Sequence, residues 1–106
     1  MKPWKIKIEP DAYDDIMQAT DWYNGQQANL GNRFKKTVIN QINSLVKNPR
    51  IYAIRYKEIR CLPIIKFPYM AHYYVNNENY SIEILAVIST SRNPKIWEDR
   101  TSKTEN

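Results

Sequence analysis

Four cations in the second half of this 106-residue chain, Arg55, Arg60, Lys66 and Arg92, are of the kind that a folded sheet gathers into an anion site. Guanidinium and ammonium groups bind phosphate and carboxylate with the same donors, so a nucleic acid and an acidic protein segment both answer the pattern. Aromatic residues are interleaved with them: Tyr69, Tyr73, Tyr74 and Tyr80 read either as platforms for stacked bases or as core, and Trp97 as an anchor for the C-terminal turn. Alternation along a strand sends Tyr69 and Tyr73 to one side and Tyr74 to the other, so part of the set must be core. Candidates for proton transfer are few. His72, the one histidine, sits in an aromatic run between Ala71 and Tyr73 and reads as a structural residue. Cys61, the one cysteine, lies between Arg60 and Leu62, which suits an inert strand thiol, and alone it forms no internal disulfide. Without a second histidine or a carboxylate at ligand spacing, neither a metal site nor a cofactor is expected.

Net charge is +5, and its distribution is polarised. Between Glu9 and Asp21 there are five acids and no base; between Arg33 and Lys66 there are nine bases against one acid, Glu58. Such a dipole steers one face toward a polyanion or an acidic partner and turns the other away. No stretch reaches the 18 or so apolar residues of a membrane span, and the residues after Met1 lack the apolar run of a signal peptide, so a cytoplasmic protein without membrane contact is expected.

These side chains need elements to hold them. Trp4, Ile6 and Ile8 alternate with Lys5 and Lys7, the period of a half-buried strand that Pro10 stops. Asp11 is expected to cap a helix, with Asp14 three residues on in the manner of a capping box, and Gly25 to end it. Ala12, Ile16, Ala19 and Tyr23 form its apolar stripe. Leu30, Phe34, Val38, Ile42 and Leu45 form a second, longer stripe that ends at Asn48-Pro49. The short link makes the two an antiparallel hairpin, with Trp22 and Tyr23 closing its end. Gly31 lies inside the second stripe, where glycine costs roughly 1 kcal/mol relative to alanine; close helix approach or a frayed first turn would account for it.

Residues 53–62, 69–75 and 80–88 read as three antiparallel strands, rich in β-branched and aromatic residues. Pro94 starts a short final helical turn carrying Trp97, and residues 101–106 read as a disordered polar tail. The result is one α+β domain over residues 1–100: an N-terminal strand and a helical hairpin packed on one face of a small, mainly antiparallel sheet, with the other face left for a partner.

KFPYMAHYYV, SIEILAVI and STSRNPKIW follow one another here and, with LGNRF further back, resemble the RelE/ParE family of toxins from type II toxin-antitoxin pairs, which includes plasmid stabilisation proteins. The resemblance covers nearly the whole chain and implies the same fold. It also implies a cognate antitoxin as partner and one of two actions: ribosome-dependent cleavage of messenger RNA, or poisoning of DNA gyrase without a known active site on the toxin. Operator DNA would be reached only through the antitoxin. RNA cleavage through the 2′-hydroxyl needs a proton acceptor, a proton donor and positive charge at the phosphorane. Aligned with nuclease members, this chain has Met70 where they carry an arginine, Trp97 where they carry a tyrosine and Ser89 where many carry a histidine. An indole neither accepts a proton nor serves as a practical acid. Arg60, Lys66 and Arg92 survive as electrostatic candidates for catalysis; Arg55, Arg60, Lys66, Tyr69, Tyr73, Arg92 and Trp97 are the candidates for contact with antitoxin or target. The pattern favours a ParE-like gyrase inhibitor. The alternatives are a RelE-like nuclease and a non-toxic antitoxin-binding co-repressor.

Overall fold

In a computed structural model describing residues 3–101, the alternating N-terminal run forms strand β1, Lys5–Ile8, with both lysines exposed and both isoleucines half-buried against the core. Pro10 does more than stop that strand. It opens helix α1, Pro10–Gln26, at a position whose N–H no helix would use, so Glu9 stands at the cap and Asp11 falls inside the first turn instead of capping it. The helix also runs through Gly25 to Gln26, without the left-handed stop expected of that glycine. A link whose last residue, Asn29, takes a left-handed φ of 67° leads into α2, Leu30–Ser44, and a 3-10 turn, Leu45–Lys47, completes it before Pro49.

Close approach explains Gly31. A Cβ there would stand 1.9 Å from the carbonyl oxygen of Thr20, and the Gly31 N–H donates to Asn24 Oδ1 at 2.7 Å. The hairpin is therefore pinned where α2 begins. Ile16, Phe34, Val38 and Ile42 point from the two helices into the core, against Leu62, Tyr73, Ile82 and Ile84 of the sheet.

The strand expected over residues 53–62 is two strands, β2 (Ile54–Tyr56) and β3 (Ile59–Pro63), paired antiparallel with Tyr56 opposite Ile59. Lys57 and Glu58 turn the chain with φ of 42° and 71°, the left-handed pair that a two-residue hairpin requires and that asparagine and glycine usually supply. Neither residue advertises a turn, which is why the break escaped the sequence reading. β4 (Tyr69–Asn76) and β5 (Ser81–Ser89) complete a five-stranded sheet of order β1-β5-β4-β3-β2, antiparallel except where β1 runs parallel to β5. Tyr73 pairs with Ile84 and His72 with Ala86, so Leu85 bulges out of the ladder. That bulge lets Ile84 and Val87, three residues apart, both face the helices.

The second face of the sheet is not left bare. Helix α3, Pro94–Thr101, folds back over it, with the Trp97 ring 5.0 Å from that of His72. Thr101, assigned from sequence to the tail, is buried in that helix and donates to the Trp97 carbonyl oxygen at 2.8 Å; residues 102–106 lie outside the described residues. Among the described residues no helix is long and apolar enough to cross a membrane.

Candidate functional site

Two distant parts of the chain meet at the edge of β5. The ladder between β1 and β5 ends at Ile84, and beyond it the Asp15 carboxylate of α1 accepts the Val87 N–H at 2.9 Å. The same oxygen accepts Arg100 Nη2 of α3 at 2.7 Å, so one acid replaces a missing strand and ties α3 to α1. This clamp walls a groove of about 300 Å³ whose other lining includes Gln18, Trp22, Tyr69, Ser89, Arg92 and Ile96. Trp22 does not close the hairpin as expected. Tyr23 does, with its ring 5.2 Å from those of Phe34 and Phe67, while Trp22 is 59% exposed at the groove.

The groove can bind an anion through exposed Arg92 and offers aromatic surface, but proton-transfer groups are scarce there. The Ser89 and Ser91 hydroxyls bond each other at 2.9 Å. Burial pushes the Tyr69 phenol upward, against a smaller downward pull from Arg92, so at neutral pH it stays a phenol and not the phenolate that would act as a base.

His72 lies elsewhere, sealed between the sheet and α3. It is fully buried, with Nδ1 2.9 Å from the Tyr56 hydroxyl and 3.4 Å from Cys61 Sγ. Burial, assisted by the nearby charges of Arg55 and Arg100, lowers its pKa from 6.5 to about 4, so the ring is neutral near pH 7. Burial likewise pushes the Cys61 thiol up to about 11, the state of an inert thiol. Trp97 packs on this cluster, with the Arg55 guanidinium 5.5 Å above its ring centre. A salt bridge from Lys57 to Glu98 at 3.6 Å fastens the same helix to the β2–β3 hairpin.

The sequence candidates therefore disperse. Arg92 and Tyr69 share the groove; Lys66 stands in a separate depression with Arg33 and Lys36; Arg60 lines a third with Arg50 and Tyr74. Arg60 is partly committed already, since its Nη1 donates to the Tyr52 carbonyl oxygen at 2.6 Å. Tyr73 is no surface contact at all: it is fully buried, and its hydroxyl donates to the Pro49 carbonyl oxygen at 2.8 Å. Trp97 faces the sheet. Lys66 is in the β3–β4 connection beside α2, not on the sheet face. The sequence reading missed Trp22, Gln18 and Arg100 as groove residues, because contacts across some 85 positions, as between Asp15 and Arg100, leave no local spacing to read.

The family described as "ParE toxin of type II toxin-antitoxin system, parDE" matches residues 6–94. The chain belongs to that family. No curated protein matches the toxin's sequence. Among solved structures it is similar to a chain of the chromosomal ParDE toxin-antitoxin system of P. aeruginosa, at 19% identity over 81% of this chain and 95% of that one, with a TM-score of 0.71. It is also similar to a mutant of the E. coli toxin RelE in the free state, at 12% identity over 99% of this chain and all of the other, with a TM-score of 0.74. A chain of the intact E. coli RelBE toxin-antitoxin complex aligns at 14% identity over 84% of this chain and 99% of that one, with a TM-score of 0.64. At these identities the structures establish the shared fold, while the family match makes the chain a ParE/RelE-type toxin of a type II toxin-antitoxin system.

Proposed function

We propose that the toxin acts on DNA gyrase without cutting RNA, and that a cognate antitoxin neutralises it. The burial of His72 carries the first part. The one side chain that titrates near neutrality in ordinary surroundings is enclosed under α3 and held neutral, where no substrate phosphodiester reaches it. The groove around Arg92 holds one carboxylate, Asp15, whose Oδ2 is engaged by the Val87 N–H and by Arg100, and general acid–base catalysis needs a group within about 3 Å of the proton it moves. Met70, Ser89 and Trp97 stand where nuclease relatives carry catalytic groups. Met70 is buried with Sδ 3.7 Å from Arg55 Nη1, and Trp97 is spent on holding α3. The same dispersal weighs against a nuclease site built from Arg60, Lys66 and Arg92.

Support for the antitoxin comes from the solved relatives, one a chain of a ParDE system and another of a RelBE complex. Exposed Arg55 and Arg92 are suited to carboxylates of such a partner.

Induced expression in a bacterial host tests the reading. A DNA-damage response and altered plasmid supercoiling are expected, with intact messages, and restored growth when the cognate antitoxin is co-expressed. New message ends within codons, appearing before any damage response, would promote the nuclease reading.

A further inference from the structure

The depression around Lys66 has no part in that account, and its composition is unusual. It measures about 450 Å³ and is lined by Leu30, Arg33, Lys36, Thr37, Lys66 and Phe67, three cations and no carboxylate. Arg33, Lys36 and Lys66 are exposed, and none of them forms an ion pair among the described residues. Arg33 and Lys36 are three apart on α2, a helix with no acidic residue, so like charges face each other on one surface at a cost that a bound anion would reverse.

Lys66 is also held in place. It takes a φ of 70°, a conformation unfavourable for any residue with a Cβ. The turn that imposes it is fixed to α2 by Gln41, whose Nε2 donates to the Pro63 carbonyl oxygen at 2.9 Å and whose Oε1 accepts the Ile65 N–H at 2.7 Å. A surface lysine free to wander would need no such fixture. Its ammonium is thereby brought to the same depression as Arg33 and Lys36, which reach it from the helix.

From this convergence we infer that the α2 face of the toxin binds the phosphate backbone of a nucleic acid through Arg33, Lys36 and Lys66, with the Thr37 hydroxyl as a further donor. An acidic peptide fits less well. Peptides dock by adding a strand to a sheet edge or by laying an apolar helix face in a groove, and this depression lies against a helix and a turn, with only Leu30 and Phe67 as apolar lining. A phosphodiester chain asks only for fixed positive charge and hydroxyl donors, carries no demand for sequence, and is met by this set. The surface is separate from the groove of Arg92, so the inference stands whichever target the toxin attacks.

Fluorescence anisotropy with a labelled 20-base-pair DNA duplex tests it. Non-specific contacts of this kind give dissociation constants of roughly 10⁻⁴ to 10⁻⁶ M near physiological salt, and three phosphate contacts give a log–log salt slope of about −2.7. The combined variant Arg33→Gln, Lys36→Gln, Lys66→Gln is expected to bind at least tenfold more weakly with a slope nearer zero. Lys66→Gly separates binding from folding: it removes one charge and about 0.9 of the slope while relieving the left-handed backbone, so it should melt at or above the wild-type temperature. Inorganic phosphate should compete only at millimolar concentrations and above; if it competes as well as the duplex per phosphate, the site is one for a free anion and the inference fails. It fails equally if the triple variant binds DNA like the wild type, or if poly-glutamate binds more tightly than DNA and depends on the same three residues.

Discussion

Gly31→Ala and Gly25→Ala are the same chemical change on neighbouring helices, and the structure requires them to act in opposite directions. In a helix interior the change gains up to roughly 1 kcal/mol from propensity; Gly25 stands one residue before the end of α1 and Gly31 second in α2, so each gains less. At Gly25 no atom lies within 4 Å of the new methyl group, so the gain stands. At Gly31 the methyl carbon would lie 1.9 Å from the Thr20 carbonyl oxygen and 2.7 Å from Asn24 Cγ. Ordinary contact distances are about 3.5 Å, so a helix backbone must retreat by about 1.5 Å. Overpacking of this kind costs about 1–3 kcal/mol, and the retreat also strains the bonds that Asn24 Oδ1 accepts from Gly31 N and Asn32 N, each worth about 1 kcal/mol. The net expectation is a loss of about 2–4 kcal/mol, set against a gain of up to about 0.5 kcal/mol for Gly25→Ala. In a domain of this size 1 kcal/mol moves the melting temperature by about 4–8 °C, so thermal unfolding followed by circular dichroism should separate the two variants by about 8 °C or more. Melting temperatures within two degrees of each other would refute the close approach of α1 and α2, and with it the reason for a glycine at that place.

Three further outcomes are expected. Phe34→Ala, at a fully buried site where α2 meets the sheet, should cost about 3–5 kcal/mol in urea unfolding. Asp15→Ala removes the partner of both Val87 N and Arg100, so amide exchange at Val87 should accelerate at least tenfold while exchange in α2 slows or speeds no more than global stability does. His72 is the acid-sensitive residue: its folded pKa of about 4 lies below the 6.5 of the unfolded chain, so the unfolded state holds the extra proton between those values. Its contribution is complete above pH 6.5 and declines by up to about 3 kcal/mol as the pH falls to 4, and His72→Gln should flatten that part of the stability profile.

Where a residue's surroundings are set by its neighbours along the chain, the sequence was sufficient. The alternation of Trp4, Ile6 and Ile8 implies a half-buried face and the stripe of Phe34, Val38 and Ile42 a buried one, and the first packs half-buried against the core while the second lies within it. Gly31 was legible because a costly residue in a regular pattern demands a reason. The hairpin at Lys57-Glu58 was not, since left-handed residues there are imposed by the pairing of Tyr56 with Ile59 and not by turn-forming side chains. The site was harder to read than the fold. Tyr73 and Tyr69 lie four apart and were expected on one face, yet the first is fully buried and the second reaches the groove, a difference decided by what packs above each. Covering of the second sheet face by α3 depends on Lys57–Glu98, Arg55 over Trp97 and Arg100–Asp15, contacts between segments far apart in sequence.

The action proposed for this toxin involves no proton-transfer chemistry on RNA. Its most direct test places purified, folded toxin with purified gyrase, relaxed plasmid and ATP, and in parallel with a translating extract whose message is mapped by primer extension. Supercoiling is expected to be lost, or cleaved plasmid to accumulate, in the first reaction, while the message in the second stays whole. Undiminished supercoiling at a large molar excess of toxin, together with ribosome-dependent cuts abolished by Arg92→Ala, would contradict it.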